Sequence, residues 1–328
     1  MQHLFKGTRL LRSLLAVAGL GLVAAAQAQS DKPISVVVAY PAGGQADVTA
    51  RIALNPMQKT LGQPLVVDNI GGAAGSIGAS KVRDAKADGS TIMVATPIEL
   101  VQTPMAMRTK YVSEDFRLVG QIASTYLMLV TRPDLPANNL AELIALAKNP
   151  GGKELSYGTT GRGTIYHLVA ERFNHDTGLK MLHVPYKGAA QIFGDLVGGQ
   201  IDMVFMPLGG PVAGMIQSGK FKPIAYTGPT RHPSFPDVPT MNETGLVKDF
   251  VFDVWAGVVV PKATPDAVIQ RFNTALADAL RQPSVRKEIE GTGGIPSAPQ
   301  SAAEAEKFYV SEIARYRAIG KAINLQPE

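Results

Sequence analysis

An α/β fold is predicted from three features of the sequence. Short apolar or β-branched runs alternate with longer stretches of helical period, glycine-rich turns follow several of those runs, and the C-terminal part reads as helices alone. The strand-like runs are Ile34 to Ala39, Leu65 to Val67, Thr91 to Ala95, Leu127 to Val130, Met181 to Val184, Ile201 to Phe205 and Pro223 to Tyr226. Alternation of this kind predicts parallel sheets covered by helices. From Pro265 no further strand is expected, so the helical tail must pack on a sheet made earlier, and the apolar stretch Val251 to Val260 is the strand that carries the chain back. Two crossings, near Ala123 to Leu127 and near Asp249 to Val254, divide the chain into one domain of residues 29–125 with 253–328 and a second of 126–252.

Local signals justify the elements in turn. Asp47 to Thr60 has helical period, but Pro56 interrupts it, and a kink or restart is expected there. Asn139 precedes the run Leu140 to Lys148 with Glu142 three residues on, which predicts a capping box, and Asn149-Pro150-Gly151-Gly152 stops that helix. The last helix is expected over Ala302 to Gly320.

The chain has 328 residues, 45% of them hydrophobic, and no cysteine. It can bury a core, and zinc ribbons, thiol nucleophiles, iron–sulfur clusters and disulfide frameworks are excluded together. The first 28 residues hold Lys6, Arg9 and Arg12 and no acid; without them 29 cations face 27 acids, a net of +2. That balance lacks the basic footprint of a nucleic-acid binder, and no nucleic-acid partner is expected. Three cations, the apolar run Leu14 to Ala26 and the triplet Ala26-Gln27-Ala28 make an export signal, so residues 1–28 are expected to be removed and the mature chain to be soluble in the periplasm.

Three glycine loops carry the chemistry. Tyr40-Pro41-Ala42-Gly43-Gly44-Gln45-Ala46-Asp47 opens a helix after the first run, Gly71 to Gly78 does so after the second, and Gly158 to Thr164 does so in the middle segment. Glycines let a ligand approach the backbone, and free N–H groups at helix starts attract anions, so an anion site in a cleft between domains is expected. None of the loops ends in the Lys-Ser/Thr of a phosphate loop, and Tyr166 stands where a dinucleotide fingerprint has its third glycine. No G-x-S-x-G elbow or H-E-x-x-H occurs, and His167, His175, His183 and His232 lack metal-ligand spacing, so structural histidines, no metal and no other cofactor are expected. Arg162 is either a ligand clamp or a solvated turn residue; the sequence leaves both open.

These loops resemble one family. Tyr40 to Asp47 is similar to the P-x-G-G-x-x-D opening of the Bug-type receptors, the periplasmic solute-binding components of tripartite tricarboxylate transporters. The likeness continues through Leu61 to Asn69, the glycine run to Gly78, Ala87-Asp88-Gly89, Tyr157 to Thr164 with His167-Leu168, His183-Val184-Pro185-Tyr186-Lys187-Gly188, Gly199-Gln200-Ile201-Asp202, Phe235 to Thr240 and Val259-Val260-Pro261. It covers the mature chain in order. The resemblance implies a type II-like, two-domain binding protein that closes on a carboxylate like a flytrap, with no catalysis. It implies that Ala42, Gly43, Gly44 and Asp47, with Gly72, Ala73, Ala74 and Gly75, hold one carboxylate through backbone amides and bridging waters, and that Thr159, Thr160, Gly163 and Thr164 reach the other end of the ligand. Asp47 is expected to be an N-cap that shapes its loop, since two carboxylates repel. Tyr40, Thr96 and Met206 complete the expected site; Tyr186 is left open between cleft wall and scaffold.

Relatives often carry Arg or Lys where this chain has Ile70, and an acid where it has Met206. Met206 offers an adaptable apolar surface and no partner for an ammonium group, so a dicarboxylate with an uncharged aliphatic or aromatic body is expected over an amino acid. The expected partners are that ligand and the integral-membrane permease subunits that receive it, with the receptor a monomer. A sensory receptor for a carboxylate uses the same closure and is not separated from transport by sequence. An enzyme acting on a carboxylate is the more distant alternative.

Overall fold

A computed structural model of the chain describes residues 32–149, 154–209 and 211–327. The expected processing after Ala28 lies outside the described residues. Ten strands join in one sheet, eight of them along a single path and two beside it. In the first lobe β1 (Ile34–Val38) lies between β2 (Leu65–Asn69) and β3 (Thr91–Ala95), both parallel to it. The 16-residue strand β4 (Phe116–Thr131) then runs from one lobe into the other. Its first part pairs antiparallel with β9 (Asp253–Pro261); its second part, from Leu127, pairs antiparallel with β7 (Met203–Pro207) and β8 (Lys222–Tyr226). The parallel trio β5 (Ser156–Thr159), β6 (Leu182–Pro185) and β7 completes the second lobe.

The sheet is therefore mixed, not parallel throughout. The long strands β4 and β9 pass between lobes in opposite directions, and a return strand beside an outgoing one is necessarily antiparallel. The expected return strand is β9. A second expectation fails: the C-terminal part does contain a strand, β10 (Ile295–Pro296), which pairs antiparallel with Ala123 and Ser124 of β4. Two residues, one of them proline, give no period to read.

Helix α1 (Gln45–Leu61) shows what spacing accomplishes. Ala50, Ala53, Leu54, Met57 and Leu61 form its buried face, and Gly62, at φ 65°, closes it by donating to the Gln58 carbonyl. The helix continues through Pro56 without the expected restart. Pro56 forgoes one backbone hydrogen bond, but Leu54 and Met57 on either side are buried, at about 1.5–3 kcal/mol for each such side chain. Helix α2 (Ser76–Arg83) follows β2. In α3 (Leu140–Ala147) half of the capping box forms: Asn139 accepts from the Glu142 amide at 2.9 Å, while Glu142 reaches one residue further back, to the Asn138 amide at 2.7 Å. Beyond them come α4 (Ile165–Thr177), α5 (Ala189–Val197), α6 (Pro211–Gln217), α7 (Asp266–Leu280), α8 (Pro283–Gly291) and α9 (Ala302–Ala322).

One apolar cluster lies between α1, α7 and the first-lobe sheet, with Val36, Leu54, Phe272 and Leu276 buried in it. A second, with Val204, Ile192 and Leu196, lies under α5 in the other lobe. A third is continuous from lobe to lobe along β4 and includes Leu118, Leu129, Phe205, Trp255 and Tyr316. Through Tyr309 and Tyr316, α9 packs against this continuous core beside the two crossing strands.

Candidate ligand cleft

Two adjoining cavities share the wall residue Ile98. The larger, about 440 Å³, is lined by Tyr40, Gly44, Thr96 and Met206 of the expected set, and also by Thr49, Thr125, Tyr166, Phe193 and Trp255. Among the described residues no Asp, Glu, Lys, Arg or His lines it. The smaller, about 270 Å³, is lined by Ala74, Gly163 and Thr164 of the expected set, with Arg162, Gln102, Thr103 and the C-terminal Leu325 and Gln326. Ala42, Gly43, Asp47, Gly72, Ala73, Gly75, Thr159 and Thr160 line neither.

The first loop is tied from behind by Asp47, which is 2% exposed. Its carboxylate accepts from the Gly43 amide at 2.9 Å, Arg51 Nε at 3.0 Å and Asn69 Nδ2 at 3.0 Å. Arg51 first, then Gly43 and Asn69, hold its pKa down to about 2 against the opposing effect of burial. Asp47 shapes its loop as expected, but not as the N-cap. That position is Gly44, and Asp47, three residues on, reaches back to the preceding amide.

The second loop is strained. Gly72, Ala73, Ala74 and Gly75 all have positive φ (118°, 45°, 50° and 84°), a conformation that costs the two alanines about 1–2 kcal/mol each. Thr103 Oγ1 braces it by donating to the Ala74 carbonyl at 3.0 Å. A Cβ on Gly75 would come within 2.6 Å of Glu99 Cβ, so only glycine lets the loop lie there.

The third loop rests on two histidines whose rings lie 4.3 Å apart. His167 Nδ1 accepts the Gly163 amide at 3.1 Å, and His183 Nε2 lies 2.7 Å from Thr159 Oγ1. Burial pushes His167 down to about 4 and lowers His183 as well, so both are neutral props at pH 7. Thr164 Oγ1 donates to the Gly161 carbonyl at 2.8 Å. Tyr186 lines neither cavity and donates to Asp195 Oδ2 at 2.7 Å.

Free loop amides were expected, and four are otherwise engaged. Gly43 donates to Asp47, Gly44 to the Pro41 carbonyl, Gly75 to the Gly72 carbonyl and Gly163 to His167. The Gly44 and Gly75 amides close their own turns, and those of Gly43 and Gly163 are taken by side chains in the first turn of the helix that follows.

The sequence reading missed what lies beneath the larger cavity. Glu99 is fully buried. Its Oε2 accepts from Tyr40 Oη and Thr96 Oγ1, both at 2.6 Å, and its Oε1 from the Thr96 amide at 2.7 Å. Burial, the largest effect, raises its pKa despite these donors. Glu99 and Gln102 belong to a π-helical turn, Ile98–Gln102, which carries no glycine motif and gave no sequence signal.

Two α/β lobes linked by β4 and β9, with cavities where their loops meet, define a two-domain periplasmic binding protein. Residues 49–325 match the family model of the tripartite tricarboxylate transporter family receptor. Protein BugT of Bordetella pertussis is 33% identical over 322 residues, covering 95% of this chain and 96% of its own. The chain belongs to this receptor family, whose members are periplasmic solute-binding proteins and not enzymes. Among solved structures, R. palustris Rpa4515 with adipate is similar at a TM-score of 0.76 and 30% identity, covering 90% of this chain and 98% of its own. MatC from Rhodopseudomonas palustris with bound malate is similar at 0.72 and 26%, covering 88% and 98%. Among the described residues no helix is long and apolar enough to cross a membrane.

Proposed function

We propose that this receptor captures a dicarboxylate with an uncharged body and delivers it, as a monomer, to the membrane permease of a tripartite tricarboxylate-type transporter. One observation carries the ligand class: among the described residues the larger cavity has no charged side chain in its lining, while the smaller one, across Ile98, has Arg162. An ammonium group in the larger cavity would lose its hydration without a carboxylate to replace it. An aliphatic or aromatic body gains from burial against Met206, Phe193 and Tyr166. One carboxylate lies by Arg162 and the loop at Thr164; the other takes neutral donors at the far end of the larger cavity. The adipate and malate of the two similar structures are both dicarboxylates without an ammonium group.

In this reading the lobes, residues 29–125 with 253–328 and residues 126–252, close about β4 and β9. Tyr40, Gly44, Thr96, Met206, Ala74, Gly163 and Thr164 contact the ligand. Ala42, Gly43, Asp47, Gly72, Ala73, Gly75, Thr159 and Thr160 hold the loops in shape from behind. Calorimetric titration of matched pairs, succinate against aspartate and adipate against glutamate, tests it. The dicarboxylate is expected to bind at least about ten-fold tighter in each pair, a difference of about 1.4 kcal/mol. Tighter binding of the amino acids would overturn the reading.

A further inference from the structure

The second lobe turns an almost wholly apolar wall to the larger cavity. Among its described residues in that lining, Tyr166 of α4 is the one whose side chain carries an N–H or O–H; the others are alanine, phenylalanine, methionine, proline, valine or glycine. Tyr166 Oη has no hydrogen-bond partner among the described residues, and it is not sealed off as the unpaired side-chain atoms of the packed interior are. The ring lies deep: burial alone pushes its pKa up to about 12, so the phenol keeps its proton at neutral pH. A hydroxyl that is deep and yet open meets the cavity that its ring lines.

The protons around the cavity decide what that hydroxyl is for. On the first-lobe side Tyr40 Oη and Thr96 Oγ1 both give theirs to Glu99, and Trp255 Nε1 gives its own to Glu312. These three lining groups have no proton left for a ligand. Thr49 and Thr125 keep theirs: both line the cavity, and their hydroxyls are open and without a partner among the described residues. A ligand group that accepts hydrogen bonds is thus met by two threonines from the first lobe and, among side chains of the second lobe, by Tyr166 alone. A carboxylate has lone pairs enough for all of them. A hydrocarbon end would leave the Tyr166 hydroxyl unpaired inside a closed cleft, which is unfavourable.

We infer that Tyr166 is the second lobe's clasp on the far carboxylate: its Oη donates to that group, and this bond gives a dicarboxylate its advantage over the monocarboxylate of the same chain length. This rests on the dicarboxylate reading above and deepens it. The test titrates two matched pairs, succinate against butyrate and adipate against hexanoate, by calorimetry into wild type and Tyr166→Phe. The replacement keeps the ring and removes a hydroxyl that no described residue bonds, so folding is expected to be retained, and thermal unfolding checks it. In wild type at least one dicarboxylate is expected to bind at least about ten-fold tighter than its monocarboxylate. In Tyr166→Phe that dicarboxylate should weaken by at least about ten-fold, the effect of one hydrogen bond to a charged group. Its monocarboxylate, with no second acid for the hydroxyl to meet, should change by less than about two-fold. An unchanged dicarboxylate affinity, or an equal fall for both members of the pair, overturns the role of Tyr166 and leaves the dicarboxylate reading standing. A wild type that binds the monocarboxylates as tightly as the dicarboxylates, or binds none of the four, overturns both.

Discussion

Two buried carboxylates in this molecule have the same local arrangement and opposite fates. Asp47 faces Arg51 one turn along α1, Nε to Oδ2 at 3.0 Å, and Glu312 faces Arg315 along α9, Nε to Oε1 at 3.1 Å. Both acids are nearly sealed, 2% and 4% exposed. Yet Asp47 is held down to about 2 and Glu312 is pushed up to about 7. The arginine is common to both, so it does not decide.

The surroundings do. Besides Arg51, Asp47 takes N–H donors from Gly43 and Asn69, and Arg51 keeps about half its surface in water. Glu312 has burial as its dominant influence, with Trp255 Nε1 donating at 3.2 Å. Its arginine is shared: Arg315 also donates to the Val251 carbonyl, packs against Phe252 and Tyr316, and lies near Asp253, a second buried acid whose pKa burial also raises. Two carboxylates divide one cation between them. A buried ion pair is stabilising only to the extent that other donors complete it.

The difference has a place in the fold. Asp47 ties the first cleft loop to α1 and β2, which needs a fixed geometry. Glu312 and Asp253 stand where β4 and β9 cross between lobes, with Ser124 Oγ donating to Asp253 Oδ2 at 2.6 Å.

Removing the satisfied carboxylate is expected to have the largest effect. Asp47→Ala leaves the Gly43 amide and the Asn69 carboxamide without their acceptor, and urea unfolding should register a loss of about 3 kcal/mol. A loss below about 1 kcal/mol would mean that the loop does not depend on this knot.

The pH dependence separates the two acids. Asp47 has a folded pKa below its unfolded one, so its contribution, about 2 kcal/mol, is present above pH 4 and is lost only as pH falls toward 2. Glu312 has a folded pKa above its unfolded one. Between its ordinary value of 4.5 and about 7 the folded state holds the extra proton, so stability from this group falls as pH rises through that window, by up to about 3 kcal/mol. His167, depressed to about 4, runs the other way: its contribution is lost as pH falls from 6.5 toward 4. The comparison of wild type with Glu312→Gln cancels the histidine. From pH 5 to pH 8 the difference in unfolding free energy should move toward the variant by roughly 2–3 kcal/mol, and a constant difference would show that Glu312 titrates normally.

The smallest effect sharpens the comparison. Arg51→Ala removes a half-exposed partner while Gly43 and Asn69 still donate to Asp47, and should cost no more than about 1 kcal/mol. A loss as large as that of Asp47→Ala would make the ion pair, and not the amide donors, the source of the knot.

Much of the architecture was legible because periodicity and turn chemistry are local. The buried face of α1, the return strand within Val251 to Val260 and the glycine loops each follow from residues a few positions apart. The length of β4 was not, since Phe116 to Tyr126 mixes Arg117, Gly120 and Gln121 into a strand whose partner β9 lies more than a hundred residues away. Of the site, Tyr40, Gly44, Thr96, Met206, Ala74, Gly163 and Thr164 could be proposed from loop motifs and from the family resemblance, and all of them line one of the two cavities. Which amides are spent inside their own turns could not be read, because that depends on φ angles and on neighbours such as Asp47 and His167. Glu99 and Gln102 were invisible for the same reason. They are ordinary residues in an ordinary apolar stretch, and only the packing of two lobes around the turn Ile98–Gln102 decides that one anchors the cavity wall from beneath and the other has its carboxamide buried beside the smaller cavity.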